Sequence, residues 1–394
     1  MTAIEKFVGA LGRLFGPPRL FLAVAGWILL LGLWGWVAHE HLPMRHGAGW
    51  GGSLEQRAPL YARFDSGWYL SIMEKGYGPP PAPENVSAHA FFPLYPHTAK
   101  ILGRTFALDG FHAGLIVTYL CLFLAMPLFY REAIRRLGES EAPASVAFLL
   151  AFPTAFFLCA VYAESMFLLF ALLAFRDARS GPLWRAALFA ALLGLTRSAA
   201  LAAAPALFLA ALEKPESGGG VPPLDRRRWK RALLLGAVPV VVVFGWVYGI
   251  GIVNGEPDLF FRSMGGWKRA PSSLHGIWEW FYSMGLRFKH QSWVKDPSLA
   301  LDYSAAVLFG LLAGFQLLRR RWSDGAWTAG ALLLPMTTGL SGGMPRFLLV
   351  VYPTYYAMTE ATRGRIVARR VWWAISGAIL LFFAARFVNW LWVA

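Results

Sequence analysis

Leu20-Phe-Leu-Ala-Val-Ala-Gly-Trp-Ile-Leu-Leu-Leu-Gly-Leu-Trp-Gly-Trp-Val37 carries no charge in 18 positions. Wound as a helix, it reaches about 27 Å, close to the hydrocarbon thickness of a bilayer. Ahead of it, residues 1–19 are short and basic (Lys6, Arg13, Arg19) and suit a cytoplasmic surface. A cleaved secretory signal would be shorter, poorer in Trp and not followed by more apolar runs. The run therefore reads as an uncleaved first membrane span.

The rest of the chain repeats the pattern. Of 394 residues, 57% are apolar and 15% charged, with a mean hydropathy of +0.48, which excludes an ordinary soluble globular protein. Further apolar segments lie near 111–130, 144–160, 161–176, 183–197, 198–212, 232–253, 299–318, 325–341, 346–361 and 371–391. With the first, they make about eleven spans; the pair between 144 and 176 is short, and Pro153 interrupts its first member. Only helices and closed barrels satisfy their backbone in lipid, and runs of this length favour helices over alternating barrel strands. The expected fold class is an all-α polytopic membrane protein, a single transmembrane domain over 1–394.

The net charge of +15 would suit nucleic acid, but the basic residues sit in short loops between apolar segments. With the N-terminus inside, the inner segments hold 22 of the 37 Lys and Arg residues. This bias predicts N-in, C-out and no nucleic-acid partner. Two long loops, about 39–110 and 254–298, then face outward. Ile277–Phe288 in the second has the pattern of an amphipathic helix lying in the interface, and 215–223 is a Gly/Pro-rich inner linker. Cys121 and Cys159 lie in apolar runs as small hydrophobes, the eight His are scattered, and no metal is expected.

Within the first outer loop stands Arg63-Phe-Asp-Ser-Gly-Trp-Tyr-Leu-Ser-Ile-Met-Glu-Lys-Gly-Tyr77. If the stretch is helical, Asp65 shares a face with Tyr61, Trp68, Tyr69 and Ile72. A carboxylate in an aromatic stripe is costly unless it acts; the plainer alternative is a solvated Asp near a turn at Gly67. Three more charges fall at the outer ends of apolar runs: Glu164 in Ala160-Val-Tyr-Ala-Glu-Ser165, Arg197 in Gly194-Leu-Thr-Arg-Ser198, and Arg346 in Gly342-Gly-Met-Pro-Arg-Phe347. Each arginine alone could snorkel to lipid phosphates. Four charges at one level favour a shared polar pocket.

A carboxylate with two arginines suits transfer of a sugar from a lipid-phosphate donor. Arginine binds phosphate bidentately and stabilises the charge that grows on the leaving group. A positioned carboxylate takes the proton of the attacking hydroxyl, and one base without a covalent intermediate gives inversion. Asp65 is thus the candidate base and Arg197 and Arg346 the donor-phosphate ligands. Glu164, His89, Trp68, Tyr69, Tyr77 and Arg63 are candidate substrate contacts. The aromatics among them could equally be interface residues, and His89 an exposed loop residue. Asn85-Val-Ser87 also matches a glycosylation acceptor, relevant only in a eukaryotic cell.

Arg63-Phe-Asp-Ser-Gly-Trp-Tyr-Leu-Ser-Ile72 with Gly76-Tyr77, then Ala90-Phe-Phe-Pro-Leu-Tyr-Pro96, resemble the first outer loop of the PIG-V family. That family comprises GPI mannosyltransferase II and its prokaryotic relatives, of the glycosyltransferase-C fold. Phe152-Pro-Thr-Ala-Phe-Phe157, Tyr162-Ala-Glu-Ser165, Gly194-Leu-Thr-Arg-Ser198 and Pro345-Arg-Phe347 are similar to later family motifs in the same order, so that the likeness covers roughly 20–360. The resemblance implies a polyprenyl- or dolichyl-phosphate sugar donor, usually mannose, a glycolipid or glycan acceptor, and inverting transfer outside the membrane with Asp65 as base. It implies a prokaryotic plasma-membrane enzyme of glycolipid biosynthesis needing no cofactor. The chain departs from the eukaryotic members in its shorter loops and in Trp68 or Tyr69 where they carry His. The rival from another class is a transporter or flippase of a lipid-linked saccharide, which should show related halves and charges near mid-membrane.

Overall fold

The computed structural model describes residues 17–42, 60–80, 85–213, 225–266, 272–290, 296–339 and 342–393. Most of the basic segment 1–19 and all of the linker 215–223 lie outside these residues. The protein is an all-α, multi-pass membrane protein with no strand among the described residues. Among the described residues, five helices are long and apolar enough to span: α1 (Pro18–His41), α4 (Gly110–Leu137), α9 (Trp229–Val253), α12 (Pro297–Leu318) and α16 (Ile366–Val388). Shorter helices complete the bundle: α5 (Ala142–Leu150), α6 (Glu164–Ser180), α7 (Leu183–Gly194), α8 (Ala200–Leu212), α13 (Trp322–Met336), α14 (Met344–Leu349) and α15 (Pro353–Ala361). The loop expected at 39–110 carries α2 (Ser66–Lys75) and α3 (Leu94–Phe106), and the one at 254–298 carries α10 (Leu259–Gly266) and α11 (Leu274–Lys289). Helix α11 exposes Trp278, Phe281 and Tyr282, as an interfacial helix should.

Each of the eleven apolar segments contains helix among the described residues, but two are broken. The run 144–160 ends its helix at Leu150, ahead of Pro153, and resumes as a 3₁₀ turn at Ala155–Cys159. The run 346–361 breaks between Leu349 and Pro353. Proline lacks the N–H and disfavours helix in the residue before it, so both breaks follow from sequence. Freed carbonyls must find donors in a membrane interior. Trp27 Nε1 donates to Leu150 O (3.0 Å), Ser376 Oγ to Ala151 O (2.8 Å), Ser165 Oγ to Leu158 O (2.8 Å) and Tyr355 OH to Leu349 O (2.8 Å). Irregular backbone at this depth is thus held inside protein, which is where membrane proteins place their sites.

Helix α6 is the axis, buried along nearly its whole length between α4 and α7. Alanine-rich α8 packs against α9 and α13, and a Cβ at Gly330 would lie 2.9 Å from the Ala202 carbonyl oxygen. Lipid gives no hydrophobic drive between helices, so such close small-residue contacts supply the packing. Helix α1 instead turns Leu22, Leu29, Leu30 and Leu33 outward, and is tied to α16 by Trp34 Nε1 donating to Leu381 O (2.7 Å).

Candidate active site

Phe64 has a left-handed backbone (φ +52°), a conformation that costs a bulky residue about 1–3 kcal/mol. Its ring is boxed by Phe387, Trp390 and Trp392, with centroids 5.4–5.7 Å away, which offsets that cost. The turn makes Asp65 the residue just before α2 rather than part of its face. The expected helical stripe is therefore corrected: Tyr61 lies outside the helix and donates to Leu31 O (2.5 Å). Gly67 does not break the helix; it is its second residue.

Glu164 opens α6 after the buried irregular stretch 160–163. Arg197 lies in the turn joining α7 to α8, and Arg346 in the first turn of α14. The structure brings these three together with Asp65, although they stand up to 281 positions apart. Arg346 bonds the Asp65 carboxylate through Nη1 and Glu164 Oε1 through Nε, and Arg197 Nη1 bonds the same Oε1. The Arg346 guanidinium also lies over the Tyr162 ring, 4.4 Å from its centroid, a cation–π contact. Glu164 is fully buried, both arginine side chains are 10% exposed, and Asp65 is the most open at 18%. Glu164 Oε2, by contrast, is buried with no hydrogen-bond partner. Of the five N–H donors on each arginine, the bonds among the described residues use one on Arg197 and two on Arg346.

Asp302, passed over in the sequence, holds this arrangement from behind. It is a buried carboxylate inside α12, and its Oδ1 accepts from Met344 N (2.9 Å), while Thr154 Oγ1 donates to Pro345 O (3.1 Å). Both contacts pin the short helix that carries Arg346. A lone acid inside an apolar run was the available signal.

The other candidates form two groups. Tyr69 is buried among Phe91, Tyr95 and Tyr162, whereas Trp68 is half-buried and stacks on Phe91. Tyr77 packs against His89 and Trp246, and its hydroxyl donates to Phe91 O (3.2 Å). His89 is not an exposed loop residue: it is fully buried beside Ser87 (3.3 Å), and burial holds its imidazole below its ordinary value. Arg63 is 2% exposed, its Nε donates to Val388 O (3.0 Å) and its guanidinium lies over Trp390. That geometry makes Arg63 a tether of the loop to the end of α16 rather than a surface awaiting substrate.

No family model matches the chain, and no curated protein matches it in sequence. Among solved structures it is similar in overall path to the crystal structure of the Archaeoglobus fulgidus oligosaccharyltransferase in complex with Zn and sulfate. The two share 11% identity and a TM-score of 0.43, over 93% of this chain and 53% of that one, so that this chain spans about half that protein's length. The PIG-V likeness rests on the motifs quoted above, and the chemistry of this chain on its own side chains.

Proposed function

We propose that the protein is a membrane glycosyltransferase of the glycosyltransferase-C type. It moves a sugar, mannose by the PIG-V likeness, from a polyprenyl-phosphate donor to a lipid- or glycan-linked hydroxyl, with inversion. The observation that carries the reading is the buried Asp65–Arg346–Glu164–Arg197 group, which joins one accessible carboxylate to two guanidinium groups. Glu164 grips both arginines through a single oxygen and so keeps their remaining N–H donors for a phosphate.

A donor phosphate entering beside Arg346 competes with Asp65 for that guanidinium, and binding frees the carboxylate. Asp65 then takes the proton of the acceptor hydroxyl as its oxygen bonds to the anomeric carbon. The bond from that carbon to the phosphate oxygen breaks, and its electron pair stays on the phosphate held by Arg197 and Arg346. On the charge bias this face lies outside the membrane, and the PIG-V likeness makes that membrane a prokaryotic plasma membrane. The charges do not run along mid-membrane as a transporter requires: after Ser165, the α6 stretch Met166–Phe175 is wholly apolar.

The test is transfer of radiolabelled sugar from a polyprenyl-phosphate donor by the purified protein and its Asp65→Asn variant. The variant should lose transfer by at least about 10²-fold, the usual contribution of a general base, with unchanged amounts of folded protein. Transfer that survives the change would remove Asp65 as the base.

A further inference from the structure

At the end of the bundle opposite Asp65, a cavity of about 400 Å³ opens where α4, α12 and α15 terminate. Arg135, Arg136, Arg321 and Arg363 line it, against one acid, Glu360. Behind the wall, Glu132 bonds Arg135 (2.6 Å) and Arg136 (2.5 Å), and Asp324 bonds Arg136. Arg321 reaches Glu360 at 3.5 Å and Arg363 Nη2 donates to Leu137 O (2.9 Å), so that four partnered guanidinium groups line the cavity against its one acid. The mouth therefore keeps a positive excess.

A second observation points to a ligand. A smaller cleft of about 10 Å³, room for one water, shares Arg136, Leu137, Arg321 and Glu360 with the cavity and is also lined by Gln316. Gln316 is 1% exposed; its Oε1 accepts from Thr328 (2.7 Å), and its Nε2 has no partner. Charges that only orient the chain in the membrane need neither a cavity nor an unpartnered buried amide in the lining of a cleft that shares its walls.

We propose that this cavity binds a phosphate group, carried on the headgroup of an anionic lipid. Guanidinium groups bind phosphate oxygens in pairs, and basic pockets between helix ends at the membrane surface suit lipid headgroups. Apolar side chains for the acyl chains flank the lining residues in sequence: Leu318 is 86% exposed and Val367 72%. The site is separate from the Asp65 group and does not depend on the transferase reading.

The experiment follows the thermal unfolding midpoint of the detergent-purified full chain. It is titrated with phosphatidylglycerol, phosphatidylcholine or inorganic phosphate. Wild type should show a saturable rise with phosphatidylglycerol and none with phosphatidylcholine. Arg363→Gln and Arg321→Gln, made separately in case one folds poorly, should each need about tenfold more lipid, the effect of one charge-assisted contact. The exposed control Arg370→Gln should match wild type. A saturable rise with inorganic phosphate, lost in the same two variants, would support the phosphate site and assign it to a free ligand as well. Equal shifts from both lipids, or equal weakening in Arg370→Gln, would overturn the proposal.

Discussion

Two buried charge groups cap the central helix. At one end of α6 lies Glu164 with Asp65, Arg197 and Arg346. At the other lies Arg179 with Glu213 and Asp324, about 22 Å away along the helix. They are built from the same residue types and differ in how completely they are paired. In the second group Asp324 accepts Arg179 on one oxygen and Arg136 on the other, and Glu213 accepts Ser323 N (3.1 Å) on one and Arg179 (3.0 Å) with Ser323 Oγ (2.8 Å) on the other. Every carboxylate oxygen there is used. The Asp65 group instead crowds two arginines onto one oxygen, strands Glu164 Oε2, and follows a left-handed Phe64. A fully satisfied network clamps helices, whereas an incompletely satisfied one holds capacity for a ligand.

The sharpest way to break this comparison is to neutralise one acid in each group. Asp65→Asn should abolish sugar transfer and leave thermal stability within about 1 kcal/mol of wild type, since that side chain is partly open. Asp324→Asn removes the buried charge that Arg136 and Arg179 share, leaving each with one acid (Glu132 and Glu213), and should cost about 3–5 kcal/mol, seen as loss of folded protein. If the two variants exchanged phenotypes, the assignment of roles would be reversed.

Smaller in effect, Arg346→Lys should raise the KM for donor about tenfold, because lysine lacks the fork that serves Glu164, Asp65 and a phosphate together. An unchanged KM would place the phosphate elsewhere. Asp302→Leu should lower kcat about tenfold through a loosened α14, with Asp302→Asn recovering most of it because the amide oxygen still accepts from Met344 N. Failure of Asn to rescue would give Asp302 a role beyond positioning.

Smallest is a pH effect. Burial in the folded state holds the His89 imidazole below its ordinary value of about 6.5, so below that pH the unfolded chain binds a proton that folded His89 resists. Stability should therefore fall as pH drops below about 6.5, and His89→Gln should flatten that part of the profile in a chemical-denaturation series.

Much of the candidate site was legible because charge is rare in such a chain. Asp65, Glu164, Arg197 and Arg346 each interrupt or end an apolar run, and the positive-inside count placed them at one level. Arg63 and His89 were harder to place. Nothing local distinguishes a buried tether or a buried loop imidazole from a substrate contact. Asp302 was missed because its carboxylate serves a backbone N–H 42 positions away.

The residues alone determined that the chain is helical and membrane-spanning, where its spans lie and which charges stand out. Those are consequences of hydropathy, proline and charge rarity along a one-dimensional string. Only the tertiary structure decided that the helix starts after Asp65 and that one oxygen of Glu164 gathers both arginines. The physical reason is that pairing depends on distance in space. A carboxylate 281 positions from its guanidinium becomes its partner only when Phe64 turns the loop and α14 enters the bundle.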